Sequence, residues 1–108
     1  MQYILVYVTA GDRAEAERIA AAVVGERLAA CANIFDSMHS LYWWEGRVER
    51  GEEAALLLKS ELGLFEALRE RVRALHSYAT PCIVALPILA GHREYLEWIS
   101  ASVNQPGA

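Results

Sequence analysis

The spacing of hydrophobic residues changes along the chain between the pattern typical of strands and the pattern typical of helices. Residues Gln2 to Thr9 are rich in β-branched and aromatic side chains, which is typical of a buried strand, and Gly11 ends that run. Asp12 with Glu15 three residues later is a helix-start signature, because the first carboxylate can accept amide hydrogen bonds and the second can reach back. The predicted helix then presents one apolar face, which consists of Ala16, Ile19, Ala20, Val23 and Val24.

The middle of the chain predicts a long β-hairpin. A strand-like pattern runs from Ala32 to Trp44, and a turn follows at Glu45-Gly46, where glycine can take a positive φ. The chain then returns as a strand from Arg47 to Ser60. Both arms exceed the usual strand length of about five or six residues. We therefore expect a bulge or a bend within them.

The last part of the chain predicts a second helix, a short strand and a third helix. Their patterns cover Leu62 to Leu75, Cys82 to Leu86, and the region near Arg93 to Ser102. The resulting order, β-α-β-β-α-β with an extra C-terminal helix, predicts an α+β, ferredoxin-like fold. In that topology the first and third strands are central and the fourth pairs antiparallel with the first. Cys82 should therefore lie beside Thr9.

The length and apolar content indicate one domain that associates with other copies. The chain has 108 residues, and we expect a single domain over residues 1–103, with residues 104–108 as a flexible tail. Apolar residues make up 55% of the chain, more than the roughly 45–50% that is usual for a globular domain. A small domain cannot bury all of them within itself. The surplus favours a buried interface between subunits.

Charge, cysteine content and the N-terminal segment narrow the class of protein. The net charge is −4 at pH 7 and opposite charges are interleaved, whereas nucleic-acid binding depends on clustered Lys and Arg. No apolar run approaches the roughly 18 residues of a membrane span, and the N-terminal segment resembles a strand and not a signal peptide. Two cysteines are too few for a disulfide framework. We therefore expect a cytoplasmic protein with neither nucleic acid nor membrane as its partner.

The signals for nucleophilic catalysis are weak. Ser37 and His39 would share one face of a regular strand, with Asp36 beside them, but such polar groups on a strand are more often plain surface. Cys31 lies in an apolar stretch and is most simply a small buried residue. We therefore expect a binding or sensing protein and not an enzyme.

The aromatic segment Tyr42-Trp43-Trp44 lies at the predicted hairpin tip. On a strand, Tyr42 and Trp44 face one way and Trp43 the other, and a single small domain cannot cover both sides. Exposed aromatic side chains at such a place indicate an interface or a ligand pocket, and the interface is favoured.

His76, at the end of the second predicted helix, has two interpretations. Its side chain can interact favourably with the negative end of the helix dipole. It can also bind copper or zinc, with Cys82 a short loop away. One His and one Cys do not complete a metal site, so both interpretations stay open at this point.

Several runs of residues together resemble the CutA divalent-cation-tolerance family. The likeness covers nearly the whole chain in order, and its Leu-Ala-Ala-Cys and Tyr-Trp-Trp-Glu-Gly segments are the most specific. The runs are Tyr7 to Ala10, Glu26 to Ile34, Ser40 to Gly46, Glu70 to Val72, Leu75-His76, Tyr78, Pro81, Ala85 to Pro87 and Tyr95 to Ile99.

The resemblance implies a ferredoxin-like homotrimer, similar to the PII-type signalling proteins, whose long hairpins pair between subunits and leave clefts there. It implies tolerance of copper and other divalent metals and no enzymatic activity. No cofactor is expected to be obligatory, and copper or another divalent ion is the candidate ligand. The alternative is a PII-like sensor that binds a small effector in the cleft, with metal tolerance indirect. The residues expected at the cleft or interface are Tyr42, Trp43, Trp44, Glu45, Tyr78 and Trp98.

The sequence departs from the family pattern at the positions proposed to bind copper. A Cys is expected where this chain has Val8, and two adjacent His are expected where it has Leu75-His76. Cys82 occupies the place of a Glu that usually follows the loop proline. We hypothesise that Cys82 supplies the missing thiolate, with His76 as its partner, in a soft site that would favour copper(I). Alternatively, Cys82 only fills space at the start of the strand.

Overall fold

The computed structural model describes residues 2–104 as one four-stranded sheet and three α-helices. A 3-10 turn at Leu62–Leu64 leads into the second helix. The elements, in chain order, are β1 (Tyr3–Ala10), α1 (Arg13–Gly25), β2 (Cys31–Trp44), β3 (Arg47–Glu61), α2 (Phe65–Leu75), β4 (Ile83–Pro87) and α3 (Arg93–Ser102). The predicted α+β fold with its extra C-terminal helix is confirmed, and the element bounds differ from the predicted ones by one to three residues at most.

The strand order is β2-β3-β1-β4, and every neighbouring pair is antiparallel. The first and third strands are therefore central, as predicted. Val8 pairs with Ile83, so the next residue of β1, Thr9, lies across from Cys82. This register brings the start of β4 and the end of β1 together at one corner of the sheet.

One face of the sheet is closed by helices α1 and α2. Alternate residues of β1 point into this core and are at most 2% exposed: Ile4, Val6, Val8 and Ala10. They pack with the apolar stripes of the two helices, which include Ile19, Val23, Leu68 and Val72. Burying an aliphatic side chain of this size contributes about 1.5–3 kcal/mol. This closed face is therefore the main source of the domain's stability.

The opposite face of the sheet is covered only at one end, by α3. There the Tyr3 hydroxyl lies 2.8 Å from the Ser100 hydroxyl, and the Lys59 ammonium lies 5.3 Å from the centre of the Tyr95 ring. Farther along the sheet, three large apolar side chains are exposed: Phe35, Val84 and Leu86. We call this side of the sheet the open face.

The predicted bulge occurs in β2, between Phe35 and Met38. Asp36 and Ser37 together lie opposite one residue of β3, Ala54, so β2 has one extra residue there. Ser37 has a φ of 55°, and its N–H donates to the Asp36 carboxylate at 2.7 Å. The backbone at Ser37 therefore departs from the regular strand conformation.

The hairpin ends in a tight turn at Glu45 and Gly46, which have φ values of 50° and 78°. Two positive φ values in succession are those of a type I′ turn, whose twist matches that of paired strands. Beyond the core the hairpin continues outward, and the described part of the chain measures 43 Å along its longest axis.

The chain after α3 is partly described. Asn104 donates its backbone N–H to the carbonyl of Arg27 and its side-chain amide to the carbonyl of Glu26. The rest of the flexible tail that the sequence predicts, residues 105–108, lies outside the described residues.

Candidate functional site: a cavity on the open face

A cavity of about 530 Å³ lies where the hairpin leaves the body of the sheet. Strands β1, β2 and β3 contribute to it, together with the loop between α2 and β4. Its lining residues are Thr9, Ser40, Tyr42, Trp44, Glu53, Tyr78, Ala79, Thr80 and Cys82.

Strand alternation places the hairpin's contribution to the cavity. Ser40, Tyr42 and Trp44 are alternate residues of β2, so their side chains share one face, whereas Trp43 lies on the other side and is 75% exposed. The ring of Tyr42 lies against Gly51 of β3, since a Cβ at Gly51 would be 3.4 Å from the Tyr42 hydroxyl. The prediction that Tyr42 and Trp44 face one way and Trp43 the other agrees with this arrangement.

The loop after α2 is anchored by His76, whose side chain is fully buried. The His76 Nε2–H donates to the Thr9 carbonyl at 2.6 Å, and Nδ1 accepts the backbone N–H of Tyr78 at 3.0 Å. The rings of His76 and Tyr78 also pack together, with 4.6 Å between their centres. These contacts fix Tyr78 at the edge of the cavity.

Glu15 holds the same loop from the side of helix α1. Its carboxylate accepts the backbone N–H of Gly11 at 2.9 Å and that of Ser77 at 2.7 Å. The Asp12 carboxylate caps the helix by accepting the N–H of Glu15, as predicted. Burial on its own would raise the pKa of Glu15, but the hydrogen bonds from Gly11 and Ser77 hold that pKa below its ordinary value. Glu15 is therefore an ionised anchor.

Glu53 and Tyr78 form the polar centre of the cavity wall. The Tyr78 hydroxyl donates to Oε2 of Glu53 at 2.8 Å. Burial, and then the carboxylate of Glu53, raise the pKa of Tyr78 far above its ordinary value, so the phenol stays protonated and keeps donating. Burial and Glu53 also raise the pKa of the Cys82 thiol. At neutral pH the cavity therefore holds one carboxylate and one protonated thiol.

The electrostatic character of the cavity favours cations. Glu53 is the one ionised side chain among the nine lining residues, and none of them is basic. Three aromatic rings add negative π faces, and the hydroxyls of Thr9, Ser40 and Thr80 add neutral polar groups. An anion would meet no compensating charge in this part of the molecule.

The structure unites some of the predicted site residues and separates others. Tyr42, Trp44, Tyr78 and Cys82 line one cavity. His76 lies behind it, and neither ring nitrogen is free to bind a metal while its bonds to Thr9 and Tyr78 last. Within residues 2–104, no group of three or more His, Cys, Asp or Glu side chains is arranged to hold a metal ion. Metal binding by His76 and Cys82 stays a prediction.

The remaining candidates lie away from the cavity. Trp43 and Glu45 are at the exposed tip of the hairpin, and Trp98 is on α3, where its ring packs 5.4 Å from that of Tyr95. The expectation that Cys31 is buried is wrong. Its thiol lies 3.8 Å from the Tyr95 hydroxyl at a partly exposed position, because Cys31 points to the open face beside α3.

Sequence reasoning missed Glu53, the charged group of the cavity. The signal that could have identified it is register, since Glu53 pairs with Met38 directly after the bulge and precedes the buried run that begins at Ala54. A carboxylate at that point shares the face of Tyr42 and Trp44. Without the position of the bulge in β2, Tyr42 and Trp44 could not be assigned to the same face as Glu53.

Among the described residues, no helix has the length and apolar content needed to cross a bilayer.

Known proteins match this chain along almost its whole length. The family model described as "CutA1 divalent ion tolerance protein" matches residues 4–102. A divalent-cation tolerance protein CutA from Archaeoglobus fulgidus is 46% identical over 99 residues, which are 92% of this chain and 96% of that protein. A chloroplastic CutA 1 protein from Oryza sativa is 42% identical over 94% of this chain, which spans 58% of the rice protein's length.

Solved structures agree with the sequence comparison. The crystal structure of CutA1 from Oryza sativa superposes with a TM-score of 0.95 at 41% identity, covering 97% of this chain and 96% of that one. The fold, the order of elements and the matched residues together lead to one assignment. This chain belongs to the CutA1 divalent ion tolerance family.

Proposed function

We propose that this protein acts in the cytoplasm as a homotrimer in tolerance of divalent cations, and that it binds copper or another divalent metal ion in the open-face cavity. The observation that carries the proposal is that the Cys82 thiol and the Glu53 carboxylate line one cavity, to which no basic side chain contributes. The names of the relatives from Archaeoglobus and other organisms support the role in cation tolerance.

The donor set fits a soft or borderline metal better than calcium or magnesium. A thiolate selects copper(I) or zinc, and a carboxylate completes part of the coordination shell. Cys82 and Glu53 supply fewer than the usual ligands, so water or a neighbouring copy would supply the others. His76 could join them only by giving up its bond to Thr9 or to Tyr78.

The proton on Cys82 couples metal binding to pH. Metals bind the thiolate, and burial together with Glu53 raises the pKa of this thiol. Metal binding should therefore release a proton from Cys82, and the affinity should increase as the pH rises towards that pKa.

Self-association is supported by the surface of the single chain. The open face exposes Phe35, Val84 and Leu86, and the hairpin tip exposes Trp43. Monomeric proteins rarely leave contiguous apolar surface of this kind uncovered, and homo-oligomers bury it. The homotrimer, with its likeness to PII-type proteins, remains part of this proposal.

The cytoplasm and a role without catalysis also belong to the proposal. Cys31 and Cys82 are both unpaired thiols, as expected in a reducing compartment. The family model and the relatives are named for divalent-cation tolerance and not for a reaction, which supports a role without catalysis. We therefore assign binding, and no reaction, to this chain.

The test is a calorimetric titration of metal-stripped protein with zinc and, under anaerobic reducing conditions, with copper(I). We expect the Cys82→Ser and Glu53→Gln variants each to bind at least about tenfold more weakly, which corresponds to about 1.4 kcal/mol. Cys31→Ser is the matched control, because Cys31 lies beside α3 and outside the cavity. Unchanged affinity in Cys82→Ser would rule out the thiol as a ligand.

A fourth variant, His76→Gln, separates the two roles of His76. Glutamine keeps an N–H donor for the Thr9 carbonyl. If His76 is an anchor, the variant should bind metal as the unaltered protein does. If His76 is a ligand, the affinity should fall about tenfold in a protein that is still folded.

A second candidate function is the binding of a small effector in the same cavity. The observation in its favour is the size of the cavity, about 530 Å³, together with its aromatic walls. Calorimetry with candidate effectors in the Trp44→Leu variant would separate this function from metal binding.

A further inference from the structure

We propose that the cavity binds an organic cation, a primary ammonium or guanidinium group carried on a small apolar body. The inference rests on the proposed ligand-binding role of this cavity; the site shares Glu53 with the metal but also needs the aromatic side chains, which the metal does not. Glu53 would be the counter-ion, and Tyr42, Trp44 and Tyr78 would be the walls.

The size of the cavity is the first argument. Its volume of about 530 Å³ lies within the range of roughly 300–1,000 Å³ that is typical of small-molecule sites. A metal ion with its few ligands needs only the corner at Cys82 and Glu53. The remaining space is bounded by rings from two elements, the hairpin and the loop after α2, and it is large enough for an organic group.

The walls are suited to a positive charge. Tyr42 and Trp44 come from one face of β2, and Tyr78 comes from the opposite side of the cavity, where His76 fixes its backbone. Aromatic faces attract ammonium and guanidinium groups through the ring quadrupole, and Trp does so most strongly. The same rings bury the apolar body of the ligand.

The carboxylate is positioned to bind the charged group directly. The Tyr78 hydroxyl donates to Oε2 of Glu53 and so restrains that oxygen. Among residues 2–104 no protein hydrogen bond is directed at Oε1, which can accept a bond from the ligand. A bond between an ionised donor and a carboxylate is roughly twice as strong as a neutral one.

The charges of these nine lining residues also disfavour the other classes of ligand. None of the nine lining residues is basic, so a phosphate or carboxylate would lose its hydration without gaining a partner. A neutral molecule would use the walls but leave Glu53 uncompensated. Since the organic cation and the metal ion both need Glu53, each should displace the other.

The experiment uses three probes with a similar apolar body and different charge: phenethylamine, phenethyl alcohol and phenylacetate. Calorimetric titration of the metal-stripped protein should give at least about tenfold tighter binding of phenethylamine than of phenethyl alcohol. Phenylacetate should bind more weakly than the alcohol. Zinc added first should weaken the binding of phenethylamine.

Four variants locate the binding. Glu53→Gln should remove the tenfold preference for the amine and leave the affinity for the alcohol unchanged. Trp44→Leu should lower the affinity for the amine about fivefold. Trp43→Leu, its neighbour on the other side of the strand, should change nothing. Cys31→Ser, which lies beside α3 and outside the cavity, should also leave the affinity for the amine unchanged.

These outcomes separate this inference from the proposed metal role. Equal affinities for the amine and the alcohol would overturn the organic-cation site, as would an amine preference that survives Glu53→Gln in a variant with unaltered circular dichroism. Selective amine binding in a protein that binds no metal would support this inference and contradict the metal role.

Discussion

The closed and open faces of the sheet are built from the same strands, but they differ in what covers them. On the closed face, Val8 pairs with Leu56 beneath the helices, and both are fully buried. One residue later, Thr9 points to the open face and lines the cavity. Alternation thus lets one strand stabilise the fold with one set of side chains and present a binding surface with the other. A substitution should therefore affect either stability or binding, according to the face on which it falls.

The largest expected effect is on the closed face. Leu56→Ala leaves a void among Val8, α1 and α2, and it should lower the free energy of unfolding by about 2–5 kcal/mol. Chemical denaturation at a fixed protein concentration measures this change. A loss below 1 kcal/mol would mean that the closed face is not the stabilising one.

A smaller loss of stability is expected where the two faces meet, at Glu15. Glu15→Gln replaces an ionised acceptor of two backbone N–H groups by a neutral one, which should cost about 1–3 kcal/mol at neutral pH. The folded pKa of Glu15 lies below its ordinary value, so the unfolded chain binds the proton more readily. The stabilisation is complete above the ordinary pKa of 4.5 and is lost as the pH falls through the lower, folded pKa.

Denaturation curves from neutral to acidic pH test the sign of this effect. The difference in stability between the unaltered protein and Glu15→Gln should shrink as the pH falls. A difference that is constant with pH would mean that the charge of Glu15 does not contribute.

The smallest effect on the fold of the protomer is expected on the open face. Val84 pairs with Tyr7 and is 49% exposed, so Val84→Asp should leave the circular dichroism spectrum unchanged. In the proposed homotrimer the same aspartate would be buried without a partner, so the trimer should dissociate. Light scattering should then report one third of the mass of the unaltered trimer. A trimer that tolerates this change would place the interface elsewhere.

The sequence predicts the elements well because each depends on local pattern. The Asp12 cap, the long arms of β2 and β3, and the opposite orientations of Trp43 and Trp44 all follow from the spacing of neighbouring residues. The corner that joins Thr9 and Cys82 follows from topology, which the order of elements determines.

The chemistry of the cavity could not be predicted as fully, because it depends on register and on backbone partners. Tyr42 and Trp44 share the face of Glu53 only because the bulge between Phe35 and Met38 shifts the alternation of β2. His76 has the side chain of a metal ligand, yet its two ring nitrogens bind a carbonyl and an N–H, which no side-chain pattern reveals.

The most direct test of the proposed role is the position of a bound metal ion. Crystals grown with zinc or cadmium and measured at the metal's absorption edge should give an anomalous peak between Sγ of Cys82 and the carboxylate of Glu53. The same peak should be absent from crystals of Cys82→Ser. A peak at His39 or His92 instead, with none in the cavity, would contradict the account and leave the cavity to a different ligand.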